Sequence, residues 1–435
     1  MTRFSDKTSK FTERFAPSLH SFAQKMPLSR KKDPADDDAD QSPLRFHSHL
    51  DRLHIPIADN TPEQEKCDEV QDRGLFLARQ ERWDELSEAI RSYDTARAAT
   101  ATGMPMADLL LFGARADVVR AAEHSLLHGR PAKDSDFFSG VEAFEGVLME
   151  DPENYALALI VAHMHIDIGW AWRGARANTD ISDINREAFD AHFTRAADIL
   201  RDFCATGLQS PALCAARCAL LPGHSHPASQ LVREFEGLID LDPMNPRHMR
   251  SLGNYLLPRW YGDYAQLDLH ARRIAARTYE NWGAGAYTWV WFDALLVDPN
   301  GFGMIEAEYF LEGVYDILRL RKDQHTANLL AAHLFQSWQT ARQRYHESGT
   351  QPELAATLKH GFEMVVRDHL REVHPLVWGH AEIGFENTAG IISPDRLAQK
   401  GRETALYAVA IPFLNSLQTG QTVRFERDGI TQINP

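Results

Sequence analysis

Three His-x-His pairs are the first residues in this chain whose type and spacing suggest chemistry: His47/His49, His163/His165 and His224/His226, among 20 histidines in all. Imidazole is a common metal ligand, but two residues apart on a helix point to different faces. His163 and His165 therefore cannot easily share an ion, and His163 with Asp167 supplies two ligands where zinc needs four. A second histidine cluster, His360, His369, His374 and His380, lies near Glu382 and Glu386 without the HExxH spacing of a helical metal site. Those histidines and acids define an alternative reading: a hydrolase or transferase on an all-helical scaffold using residues 360–386. Cys214 and Cys218 lack a CxxC spacing and sit among alanines, as small buried hydrophobes do. No G-x-S-x-G elbow, glycine-rich phosphate loop or kinase set is present. The expectation is no catalytic centre, no metal and no cofactor.

The elements that position these residues are helices. The 435 residues carry 46 Lys+Arg against 61 Asp+Glu, a net charge of −15, with 44% hydrophobic residues. An acidic body disfavours binding to a phosphate backbone. No apolar run approaches membrane-spanning length, and four cysteines make no disulfide scaffold. A cytoplasmic protein is expected. Residues 1–32 are basic, and Phe11, Phe15, Leu19, Phe22 and Met26 form one helical face, so residues 4–26 could dock on a membrane surface or a partner. The aspartate run from Asp33 to Asp40 and four prolines mark residues 30–62 as a linker, which gives a flexible segment over 1–62. A helical period of apolar residues then governs 63–418. Thr422–Glu426 and Ile430–Ile433 alternate around Arg427-Asp428-Gly429, so 419–435 reads as a small hairpin. The fold class is all-α.

The helical body repeats. Residues 144–154 read FEGVLMEDPEN and 235–245 read FEGLIDLDPMN, identical at six of eleven positions at a constant offset of 91. Asp-Pro stops one helix, because proline excludes the helical conformation from the residue before it. Asn154 and Asn245 can then cap the next helix. Val297-Asp298-Pro299-Asn300 repeats the stop. This pattern resembles the tetratricopeptide repeat family, whose repeat closes on aliphatic-x-Asp-Pro-x-Asn. Leu252-Gly253-Asn254-Tyr255 and Gly262-Asp263-Tyr264 look like further landmarks of that repeat. Two departures stand out: Leu257-Pro258-Arg259-Trp260 lengthens the spacing, and no strict 34-residue period runs through the chain. The layout is also similar to a bacterial group of tetratricopeptide-like proteins of unknown function. The resemblance implies an α-solenoid of antiparallel helix pairs and a binding rather than a catalytic role.

Fourteen aromatics fall between residues 255 and 315. Either they fill a thick core between large helices, or some line a groove where Trp and Tyr anchor a peptide. Arg173 and Arg259 each follow an Asp-Pro turn by about twenty residues. Arg173, Arg259, Trp260 and Tyr264 are thus the candidate binding residues, for a protein or peptide partner, in a non-catalytic adaptor or scaffold.

Overall fold

The computed structural model describes residues 50–126, 136–174, 181–348, 352–385 and 393–434. The basic helix expected within 4–26, the linker as far as 49, and His47 and His49 lie outside them. The described chain is all-α with a small C-terminal β element. It divides into two units, one of residues 62–263 and one of 50–61 with 264–434.

The first unit runs α1 (Pro62–Arg79), α2 (Trp83–Ala96), α3 (Met106–Leu126), α4 (Asp136–Glu150), α5 (Tyr155–Arg173), α6 (Asp183–Leu200), α7 (Pro211–Leu220), α8 (Ala228–Leu241) and α9 (Pro246–Tyr255). Helix α5 is apolar on nearly every side and is buried from Ala156 to Ile166. An apolar stripe that encircles a helix requires neighbours all round, and α3, α4, α6 and α7 supply them. Helices α1 and α3 cross at two glycines. A Cβ on Gly113 would lie 2.0 Å from the Gln71 carbonyl oxygen, and one on Gly74 would lie 2.4 Å from that of Leu110.

Both Phe-Glu-Gly units are helix–turn–helix pairs, α4–α5 and α8–α9. Asn154 caps α5 by accepting from the Ala156 and Leu157 N–H groups, and Asn245 caps α9 by accepting from Arg247 N–H. The two caps differ in what surrounds them. Asn154 also accepts from Arg91 at 3.0 Å and donates to Ser87 Oγ and Asp151 Oδ2, whereas Asn245 Nδ2 is buried without a partner. The two phenylalanines diverge as well. Phe235 packs edge-to-face on Tyr255 inside its own helix pair, while Phe144 meets Trp83 of α2. The third Asp-Pro stops a helix at Val297, but Asp298 caps a short 3-10 turn over Pro299–Gly303 rather than a new α-helix.

The second unit holds α10 (Tyr264–Arg277), α11 (Tyr279–Trp282), α12 (Gly285–Val297), α13 (Ala307–Leu320), α14 (Gln324–Ser348), α15 (Pro352–Met364), a π turn at Val365–His369, α16 (Pro375–Ile383), α17 (Pro394–Ala410) and α18 (Leu414–Gln418). Helix α16 was not expected from the sequence. Buried Asn328 holds its start: Oδ1 accepts from His374 N–H and Trp378 Nε1–H, both at 2.9 Å, and Nδ2 donates to the Gln324 and Glu372 carbonyls. Trp282, Tyr287, Trp289, Trp291, Phe292, Phe302 and Phe310 are buried, so much of the aromatic concentration is core.

Strands β2 (Thr422–Glu426) and β3 (Gly429–Ile433) form the expected antiparallel hairpin, with Glu426 opposite Gly429 and Arg427-Asp428 as the turn. A third strand, β1 (Leu53–His54), runs parallel to β2, with Leu53 opposite Val423. The chain then exchanges hydrogen bonds with Val373, whose N–H donates to Pro56 O at 2.8 Å and whose carbonyl accepts from Ala58 N–H. Residues 50–61 of the expected linker are thus docked, and Leu53 and Ile55 are buried. The aspartate and proline content suggested an extended chain; the apolar residues at 53, 55 and 57 give the end of that segment a surface to bury.

Candidate functional site

The expected binding residues divide between the units. Arg173 ends α5 with its guanidinium 5.2 Å from the centre of the Trp170 ring. Burial holds its pKa below the usual guanidinium value, while Tyr261 nearby acts in the opposite direction. The Tyr261 ring lies 6.0 Å from Trp260, and the Arg259 guanidinium stands 5.7 Å from Trp260. Trp260 thus neighbours both Arg259 and Tyr261, and Tyr261, which the sequence reading had not singled out as a binding residue, acts electrostatically on Arg173. All four are half-buried. Tyr264 opens the second unit, where its hydroxyl donates to Asp298 Oδ2 at 2.7 Å.

The histidines and acids near 360–386 do not converge on one another. His360 is exposed, His374 pairs with Glu372 at 2.9 Å, and Glu382 accepts from Thr404 and meets Lys400. Burial lowers the pKa of His369, and it holds His380, whose Nδ1 has no partner among the described residues, down at about 4. Glu386 lies outside the described residues. Among the described residues, no three His, Cys, Asp or Glu side chains are arranged to hold a metal ion.

His163 and His165 do face different ways. His163 is buried near Arg115, and burial holds its pKa well down. His165 turns toward α4 and α6. Its Nε2 lies 2.9 Å from Glu145 Oε1 and its Nδ1 lies 2.8 Å from His192 Nδ1, while Arg195 Nε donates to the same Glu145 oxygen at 2.7 Å. The geometry orders the protons. A carboxylate accepts, so His165 Nε2–H donates to Glu145; His165 Nδ1 then accepts from His192 Nδ1–H. The basic lone pair of the chain is left on His192 Nε2. Among the described residues no hydroxyl or thiol hydrogen-bonds to that nitrogen. Sequence spacing could not reveal it, because its members come from three helices.

Burial and the adjacent His165 push the His192 pKa from 6.5 down to about 4. The unfolded chain therefore binds a proton between those values that the native ring refuses, so stability is present above pH 6.5 and lost toward pH 4. His192→Asn should remove this loss, which for one ring is on the order of 2 kcal/mol. Urea denaturation of both proteins at neutral and acidic pH reads it; parallel pH dependences would mean the ring is not held neutral.

Beside this relay lies an open groove of about 620 Å³. It is walled by the end of α4 (Leu148, Met149), the first Asp-Pro turn (Pro152, Glu153), the last turns of α6 (Arg195, Asp198, Ile199) and the turn that follows (Phe203, Cys204, Leu208). Met149 and Leu208 are 72% and 46% exposed. The turn is tight: Cys204 O accepts from Leu208 N–H, and Cys204 Sγ accepts from Gly207 N–H at 3.4 Å. Thr206 and that N–H lower the thiol pKa, as a helix-cap position does. Arg195 on the rim is already held by Glu145 and Asp198 by Arg201, so Glu153 and Asp202 make the groove acidic as well as apolar. Cys214 and Cys218 are buried on α7, as small hydrophobes. Comparison with known proteins finds no matching family model, no matching curated protein and no matching solved structure.

Proposed function

We propose that this protein is a non-catalytic, tetratricopeptide-like helical-repeat protein that binds a polypeptide segment, with the groove at its first Asp-Pro turn as the docking surface. The observation that carries this reading is the groove itself: open, walled by helices, and presenting exposed Met149 and Leu208 beside the Glu153 and Asp202 carboxylates. Apolar anchors set in a charged rim are the composition of a binding surface, and open access suits an extended chain better than a small substrate. The charge selects a segment with apolar and basic side chains. A helical-repeat solenoid, four free thiols and the absence of a membrane-spanning helix among the described residues all agree with a cytoplasmic adaptor. The alternative, a hydrolase or transferase built on residues 360–386, has less support, because His374 and Glu382 are engaged in separate contacts and His360 is exposed.

A designed probe tests the reading: a labelled peptide with leucines and lysines interleaved, and its counterpart with glutamates. The basic peptide should bind saturably, and Leu208→Asp should weaken it by about 2 kcal/mol, roughly thirtyfold. The substitution adds negative charge, so mere charge attraction to an acidic protein would instead strengthen binding. Unchanged or tighter binding by the variant would remove the groove from the reading. Arg259→Ala and Trp260→Ala belong in the same series: lost affinity extends the docking surface to that stack, and lost stability alone assigns the stack to the scaffold.

A further inference from the structure

A second cavity lies in the same unit, where the end of α2, the loop before α3 and the starts of α7 and α9 converge. Its volume is about 20 Å³, room for one water-sized group. Ala98, Ala99, Pro105 and Pro211 give it an apolar lining, Asp94, Asp108, Asp242 and His248 give it acceptors, and Arg97, whose guanidinium donates to the Leu241 and Thr95 carbonyls, shares the wall.

Two of the three carboxylates are spoken for. Asp94 accepts from Ser210 Oγ, from Ala212 N–H at 2.9 Å and from Tyr155 OH at 3.2 Å, which ties it to the start of α7. Asp242 lies 3.2 Å from His248 Nε2. Among the described residues Asp108 has no hydrogen-bonding or ion-pairing partner, and it is half-buried. His248 is 3% exposed, and with Nε2–H given to Asp242 its Nδ1 becomes an acceptor, buried and unpartnered. A carboxylate and an imidazole, each with an acceptor that no described residue engages, thus belong to the wall of one head-sized cavity. Unsatisfied buried acceptors are costly, and a ligand that brings donors recovers that cost. No three of these groups are set to hold a metal ion.

We infer that this cavity takes the ammonium head of a primary alkylamine, with the alanine and proline side chains of the wall along its methylene stem and Asp108 as the counter-charge. The ammonium carries three donors on a compact head, and its stem is apolar like those side chains. The amine can be a lysine side chain presented by another polypeptide or a free alkylamine. The inference does not rest on the groove.

Burial raises the Asp108 pKa to about 6, against the lowering effect of His248, Arg115 and Arg247 and with Asp94 reinforcing the rise. Asp108 therefore ionises fully only above that pH. Asp242 also lines the cavity but is committed to His248.

The experiment titrates the full chain at neutral pH with n-butylammonium, with Nα-acetyl-lysine methylamide and with the norleucine analogue, following heat and thermal midpoint. Saturable binding by at least one amine, none by norleucine, and weakening of about tenfold or more in Asp108→Asn is the expected result. Affinity should also fall by about tenfold per pH unit once Asp108 is protonated. The Asn side chain is isosteric and removes a half-buried charge that no described residue pairs, so its thermal midpoint should equal or exceed the wild type; that reading separates lost binding from lost folding. Tighter binding of the lysine derivative assigns the site to a chain-borne lysine, and tighter binding of butylammonium assigns it to a free amine. No saturable binding below about 50 mM, equal binding of norleucine, or full affinity in Asp108→Asn overturns the inference and leaves a cavity that holds water.

Discussion

Asp167→Ala is expected to cost about 3–5 kcal/mol, the largest effect of any single side-chain deletion considered for this chain. Arg115 of α3 places Nε 2.7 Å from Asp167 Oδ2 of α5, and their side chains are 2% and 12% exposed. The guanidinium also lies 5.4 Å from the Phe112 ring, and the buried His163 is one turn from Asp167. Deleting the carboxylate strands a charge that has no way to neutralise itself, because arginine does not lose its proton in proteins. The neighbouring His163 is held neutral by burial and by Arg115, and it cannot replace the lost anion. Urea denaturation reads the loss. Two comparisons isolate its cause. Replacing both partners with apolar residues, Arg115→Met with Asp167→Leu, should recover most of the stability, since the penalty lies in the unpaired charge and not in the absent pair. Asp117→Ala, which breaks the exposed Arg79–Asp117 pair, should cost no more than about 1 kcal/mol. A small effect at Asp167 would mean that water reaches Arg115.

Gly113→Ala should destabilise the first unit by about 3 kcal/mol, far more than an alanine costs elsewhere in a helix. In isolation this exchange favours a helix, so the sign itself is diagnostic. The new methyl would sit 2.0 Å from Gln71 O and 2.9 Å from Leu75 N, atoms of the α1 backbone that cannot rotate away. Helix α1 must move off α3, and the packing around Leu77, Leu109 and Leu110 loosens with it. Gly146→Ala is the control, because nothing lies within 4 Å of its position and the exchange there should be neutral or slightly stabilising. A thermal melt of both variants checks the contrast. The second unit repeats the device at Gly379 and Gly401, whose added Cβ atoms would meet Leu397 O at 2.6 Å and Pro375 O at 2.0 Å. The sequence marked none of these four glycines.

Local signals made most of the helices legible. Asp-Pro stopped α4 and α8 because proline acts on its immediate neighbour, and Asn154 and Asn245 capped α5 and α9 because a cap reaches only two or three residues ahead. Helix α16 was missed for the complementary reason. Its start depends on Asn328, which receives His374 N–H and Trp378 Nε1–H from nearly fifty residues away. The first strand was missed in the same way: Leu53 and His54 are too few to show alternation and become a strand only against Val423 and Arg424.

The candidate sites divide along the same line. Arg173, Arg259 and Trp260 could be named from their places after the Asp-Pro turns, but the influence of Tyr261 on Arg173, nearly ninety residues earlier, could not. Nothing in the order of residues relates Glu145 to His165, His192 and Arg195, or Asp108 to Asp242 and His248. By itself the sequence determined what one or two helical turns can encode: the apolar period, the stops, the caps, the closing hairpin and the all-α class. The tertiary structure alone decided which faces meet, and with them the groove, the histidine relay and the small acidic cavity. Backbone preferences act between neighbours in the chain, whereas a site is made by side chains that only packing brings together.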